Sequence, residues 1–179
     1  MNIVTNIKKL SKPCTVQTFA NSKEIASKMF TWLALGSNRA IRNNCLGLAA
    51  NQLGHDACVC LIRDNKKSNS FFVLINPEIA VDPHISSRQT RQGLFEFESC
   101  LSIPDKSVEI VRWSSIIVQD EYSKQDHLSG KIDNPWVNYT NTMARIIQHE
   151  MDHLKGMLIT DEFFNDNTPS LDYKYVSSR

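Results

Sequence analysis

A chain of 179 residues, 41% hydrophobic and 22% charged, is long enough for one domain with its own core and too short to expect two, so residues 1–179 are read as a single unit. A formal charge of +1 and the lack of any long Lys/Arg block remove the electrostatic reason to expect nucleic-acid or anionic-membrane binding, and point to a small or neutral partner. The longest unbroken apolar run, Ala57 to Ile62, cannot span a bilayer, and the opening MNIVTNIKKLSKPCTV lacks a signal-peptide core, so the expected location is cytoplasmic.

Five scattered cysteines (Cys14, Cys45, Cys58, Cys60, Cys100) read as free thiols in a reducing compartment, with room for one of them to be a ligand. Along the chain, Asn21 to Gly36 places Ile25, Met29, Trp32 and Leu33 at helical spacing, with Asn21 or Ser22 as the starting cap and Gly36 as the stop. Five β-rich runs follow, ACVCLIR, FFVLINPEIAV, GLFEFES, SVEIVRW and SIIVQDEY, divided by turn-forming residues, and they predict antiparallel strands and hairpins. Tyr122 to Val137 reads as an extended hairpin loop with His127 in solvent. A last helix is predicted from Thr140 to Lys155, closed by Gly156, and of the tail beyond it only the apolar beginning is expected to pack. The order implies an α+β fold with an N-terminal helix, antiparallel or mixed sheets and one late, important helix.

The late helix contains QHEMDH, Gln148 to His153. On a helical wheel His153 falls about 40° from His149, with Glu150 about 100° away, so all three share one arc. Met143, Ile147, Met151 and Leu154 form an apolar stripe directly beside it, so the helix must be buried on most of its circumference. Two imidazoles and a carboxylate buried together need partners or a metal ion, because each unpaired polar group costs roughly 1–3 kcal/mol. HEMDH is an instance of H-E-x-x-H, in which i and i+4 histidines grip one cation and the glutamate handles protons; hydrogen-bonded core histidines are the ordinary alternative. The metalloprotease pattern that extends this motif requires a histidine where Ile159 stands. A glutamate ligand from a second downstream helix is not available either, since Glu162 is the single glutamate after His153. A third ligand is therefore expected upstream.

Upstream stand ESCLSIP (Glu98 to Pro104) and LGLAANQLG (Leu46 to Gly54). With INPEI (Ile75 to Ile79) and ARIIQHEMDHLKG (Ala144 to Gly156) they run along the chain as LGLAANQLG, INPEI, ESCLSIP and ARIIQHEMDHLKG, and in that order the sequence resembles the peptide deformylases from about Cys45 to Thr160. The resemblance implies a metal-dependent amide hydrolase that removes the formyl group from N-formylmethionyl peptides, the ends of nascent chains, and releases formate. It implies Cys100, His149 and His153 as metal ligands and Glu150 as the acid/base group, with the Gln52 side chain and the Leu101 backbone N–H stabilising the developing oxyanion. Family habit favours Fe2+, while Zn2+, Ni2+ and Co2+ suit the same donors.

Substrate contacts are expected from Leu46, Gly47, Ser99, Arg145 and Ile146. Gly47 would let the substrate backbone approach, Arg145 would mark the pocket rim, and Leu46, Ile146 and Met143 are lining candidates for which plain core packing is the alternative. Glu98 and Arg112 are expected to pair in a supporting role, and Gln148 and Asp152 either orient ligands or face solvent. The chain departs from the family at Cys45 and Ser99, where glycines are usual; a positive φ at either would cost about 1–2 kcal/mol. A metallopeptidase and a non-catalytic binding protein remain as rival classes, the second disfavoured because no base or ligand is missing. A monomer acting on nascent chains, possible proximity to the ribosome included, completes the expectation.

Overall fold

A computed structural model describes residues 2–64, 70–81, 95–161 and 174–175. A single-turn helix α1 (Ile7–Leu10) precedes the 16-residue helix α2 (Phe19–Ala34), and a short α3 (Arg39–Asn44) leads into the first sheet. The cap of α2 is Thr18, whose hydroxyl accepts from the N–H of Asn21, so the helix starts one turn earlier than Asn21 or Ser22 would place it.

Strands β1 (Gly47–Ala49), β2 (Val59–Arg63) and β3 (Phe71–Ile75) form an antiparallel sheet in that order. Alternation along β2 explains its unbroken apolar run, since both faces of the strand are covered. Val59 and Leu61 pack with Ala26, Met29, Trp32 and Leu33 of α2, while Cys60 and Ile62 face the opposite core.

Strands β4 (Glu78–Val81), β7 (Ser115–Gln119), β8 (Val137–Thr140) and β9 (Lys174–Tyr175) make a second sheet in the order β8-β7-β4-β9, parallel only between β4 and β9. The polar end of the tail thus reaches the sheet, whereas the apolar beginning predicted to pack lies outside the described residues. A two-stranded ribbon of β5 (Phe95–Cys100) and β6 (Ile103–Val111) completes the β structure, with a register shift between Ser99 and Cys100.

The segment expected as an extended loop instead opens with a helix, α4 (Glu121–Leu128). The Asp120 side chain accepts from the N–H of Ser123 while the Ser123 hydroxyl accepts from the N–H of Asp120, a reciprocal cap that the strand-like run SIIVQDEY conceals. His127 is exposed, as expected.

Helix α5 (Asn141–Leu154) lies in the middle of this arrangement. Ala144, Ile146, Ile147, Met151 and Leu154 form one core with Ala49, Cys60, Ile62 and Leu74 from the first sheet and Ile79, Ile116 and Val118 from the second. Met143 packs against this core, which answers its two-way reading. The helix ends in a Schellman turn, with the N–H of Met157 on the Asp152 carbonyl at 2.8 Å and Gly156 at φ 74. Only glycine fits there: an added Cβ would sit 2.8 Å from the backbone carbons of Ser11 and Lys12.

Candidate active site

Cys100 ends β5, and His149 and His153 lie on successive turns of α5. The fold brings their ligating atoms within 4.8 Å of one another, with the Cys100 sulfur 3.2 Å from Nε2 of His153. The ring centroids of the two histidines are 5.1 Å apart. One thiol and two imidazoles, converging with a side left open, suit a divalent cation that keeps a place for substrate or water.

The partners of these donors fix their protonation. Nδ1 of His149 lies 2.9 Å from Glu98 Oε2, and because a carboxylate only accepts, Nδ1 carries the proton and Nε2 is left for the cluster. Burial pulls the His149 pKa down, but hydrogen bonds to Cys100 and Glu98 outweigh it and carry the value to about 10, so a cation binding at Nε2 would displace a proton from that nitrogen. Burial, followed by the charges of His149 and Arg112, drives His153 well below its ordinary value, so its imidazole is neutral. The carbonyl of His153 accepts from Asn51 Nδ2 at 2.6 Å, tying the end of α5 to the segment that carries Gln52.

Glu98 is the centre of a buried charge network. Arg112 grips both its oxygens at 2.9 Å and also binds Asp152, while Arg145 donates to Glu98 Oε1 at 2.6 Å and reaches Glu96 at 3.2 Å. Burial alone would raise the Glu98 pKa, but the bonds from Arg112 and His149 hold it far below the usual carboxylate range. Asp152 is therefore buried in an ion pair and not on a solvated face. Gln148 is also buried, and it clamps the Trp113 backbone through both its amide atoms. Arg145, expected at the rim, is only 8% exposed and is committed to carboxylates.

Glu150 is buried between the two histidines in sequence, and its Oε2 has no hydrogen-bond partner among the described residues. Burial is the main cause that pushes its pKa up to about 7, near the value a group needs to take and return a proton at neutral pH. Its carboxyl lies directly against Gly47, where a Cβ would come within 2.6 Å of Glu150 Cγ. The missing side chain at Gly47 thus makes room for Glu150, a reason different from the substrate approach expected of it.

Gln52 is buried, with its Oε1 held by the N–H of Ala49 at 2.9 Å and its Nε2 directed at the Cys100 sulfur (3.6 Å) and the Ser102 hydroxyl (3.3 Å). Leu101 follows Cys100 in the turn after β5. A cavity of about 530 Å³ opens over these groups and is lined by Leu46, Gly47, Gln52, Ser99, Cys100, Leu101, Arg145, Ile146, His149 and Glu150, all named from sequence. Met143 is absent from this lining. Glu96, Phe97, Pro104, Thr142 and Asn44 also line it and were missed, since no motif spacing marks them.

Neither departure from the family pattern is strained. Cys45 has φ −71 and ψ 123, and Ser99 is not among the described residues with positive φ. The Cys45 thiol is buried and donates to the Gly47 carbonyl at 2.8 Å.

Comparison with known proteins points to one family and one fold. The family model for polypeptide deformylase matches residues 3–168. Peptide deformylase 2 of Prochlorococcus marinus (strain MIT 9313) is 40% identical over 133 residues, 72% of this chain and 58% of that protein. The peptide deformylase of Borreliella burgdorferi is 34% identical over 118 residues, 66% of this chain and 62% of that protein. The chain therefore spans about three fifths of the length of these relatives. The crystal structure of a class I type b peptide deformylase from Acinetobacter baumannii superposes with a TM-score of 0.64 at 23% identity, covering 89% of this chain and 96% of that one, and shows the same fold.

Proposed function

This chain belongs to the polypeptide deformylase family, and we propose that it hydrolyses the N-formyl group of N-formylmethionyl peptides, releasing formate. The observation that carries the reading is the position of Glu150: a buried carboxylate with one unpartnered oxygen, flanked in sequence by one histidine of a Cys/His/His cluster and opening into the same cavity.

Cys100, His149 and His153 would hold a divalent cation, and when bound it supplies Lewis acidity to water and to the formyl oxygen. Fe2+ is our first choice by family habit; the donors alone serve Zn2+, Ni2+ or Co2+ as well. Glu150 takes a proton from the attacking water and delivers it to the departing methionyl amine. The Gln52 amide, held by the Ala49 N–H, donates to the oxygen on which negative charge grows, and the Leu101 N–H is its second donor.

Strand edges support the mode of binding. Among the described residues β1 pairs only with β2, and β5 pairs only with β6, so each offers a free edge to the cavity. A peptide laid between them as an added strand gains main-chain hydrogen bonds that do not depend on its sequence. Its methionine side chain enters beside Ile146. No described helix is long and apolar enough to cross a membrane, and we place the activity in the cytoplasm, on nascent chains and in a monomer.

The test is formate release from formyl-Met-Ala-Ser by protein loaded anaerobically with iron and, separately, with zinc. The Glu150→Gln variant should bind the same amount of metal and release no formate. Equal turnover by this variant would refute the assignment of the base, and no turnover by the wild-type chain with either metal would refute the reaction.

A further inference from the structure

We propose that Leu46 and Phe97 form an apolar clamp for the second residue of the peptide, making the enzyme prefer a bulky apolar side chain immediately after the formylmethionine. The inference rests on the deformylase reading above and adds a specificity that this reading does not contain.

On β1, a Cβ at Gly47 would point at Glu150, and Ala49 packs in the α5 core, so the odd positions face α5. Leu46 and Leu48 are then on the other face, and Leu48 does pack in the α2 core. On β5, Glu96 and Glu98 both pair with Arg145 of α5, so the even positions before the register shift face α5. Phe97 and Ser99 are on the opposite face.

A peptide strand lying between these two edges must obey the same alternation. Its first side chain goes toward α5 and Ile146. Its second must leave by the other face, where Leu46 stands on one side and Phe97 on the other. Both are cavity residues, and both are unusually open for large apolar groups, Leu46 at 49% and Phe97 at 72% exposure. Side chains directly across neighbouring strands are in contact range, and apolar or aromatic pairs are the favourable ones. Among the described residues, the remaining charged groups at the cavity, Glu96 and Arg145, are paired with each other.

The experiment compares formyl-Met-X-Ser peptides with X as Gly, Asp, Lys, Ile and Phe on the full chain. Expected kcat/KM for Ile and Phe exceeds that for Gly and Asp by roughly five- to tenfold, the size of two cross-strand contacts. In Phe97→Ser and Leu46→Ser the ratio between X as Phe and X as Gly should fall toward one. Phe97 is mostly exposed, so its replacement does not threaten folding, which circular dichroism checks. A flat series, or a ratio unchanged in both variants, overturns the clamp while leaving the deformylase reading intact. Should formate release fail altogether, calorimetric binding of the Met-X-Ser products gives the second readout: affinity ordered by X in the same way supports the clamp, and equal or absent binding overturns it.

Discussion

Glu98 accepts the Nδ1 proton of His149 at 2.9 Å while both its oxygens are held by Arg112, so a carboxylate outside the Cys100/His149/His153 cluster sets the tautomer of one of its histidines. Replacing it by alanine removes the acceptor from His149 and leaves Arg112 and Arg145 without their shared carboxylate. Breaking a buried pair from one side costs about 3–5 kcal/mol, and losing the support of a ligand weakens metal binding by roughly 10- to 100-fold. Glu98→Ala should show both, in urea denaturation and in competition with a chelating dye. Unchanged metal affinity in a folded variant would show that His149 is oriented by something else. Glu98→Gln, which retains one acceptor oxygen, should recover part of the affinity.

Gly47 offers a cleaner separation of chemistry from metal binding. A methyl group there would collide with the Glu150 side chain, to which its three nearest atoms all belong, forcing the carboxylate from its place. Displacing a reacting group by about 1 Å is enough for a hundredfold loss of rate. Gly47→Ala should therefore bind a full equivalent of metal and lose about that factor in kcat on formyl-Met-Ala-Ser. A kcat within twofold of wild type would show that Glu150 has room to relax.

The Cys100/His149/His153 cluster was readable because the i, i+4 spacing of His149 and His153 is a local geometric fact and Cys100 lies in a distinctive block. Strand positions followed from apolar alternation, and β2 was clear because both its faces are buried. What escaped was long-range or concealed. Arg145 was placed at the rim by the helical wheel, but the wheel does not show Glu96 and Glu98 arriving from β5 to bury its charge. Glu96 and Phe97 joined the cavity through strand pairing alone. Helix α4 was missed because its cap, Asp120 with Ser123, sits at the end of a run that reads as strand, and because the helix has no apolar face to announce it.

That same cap gives a stability prediction. Asp120 accepts from the N–H of Ser123 at 3.0 Å and, with its other oxygen, from the N–H of Ile75 at 3.2 Å, so one buried side chain joins α4 to the end of β3. Loss of a helix cap costs about 1 kcal/mol, and stranding a buried N–H costs a further 1–3 kcal/mol. Asp120→Ala should lose about 2–4 kcal/mol in urea denaturation, and Asp120→Asn a smaller part of that. An effect under about 0.5 kcal/mol for alanine would mean that water replaces both bonds.

Stability at alkaline pH should depend on Cys45. Burial, with the nearby Glu150 carboxylate adding to it, pushes this thiol from 9.0 up to about 12. Below pH 9 the thiol is protonated in folded and unfolded chains alike, and the folded state has its full stability. Above pH 9 the unfolded chain ionises and gains, while the folded thiol stays neutral until about pH 12, so stability falls across that window. The slope from one such group is at most about 1.4 kcal/mol per pH unit. Cys14 is raised to about 12 by the same main cause, but it is less buried and its share is reduced by solvent. Urea midpoints measured at pH 7.5, 9 and 10.5 should therefore decline for wild type and decline less steeply for Cys45→Ala. The difference between the two slopes isolates this thiol from the lysines and tyrosines that titrate in the same range, and parallel slopes would show that Cys45 ionises in the folded protein as readily as in the unfolded one.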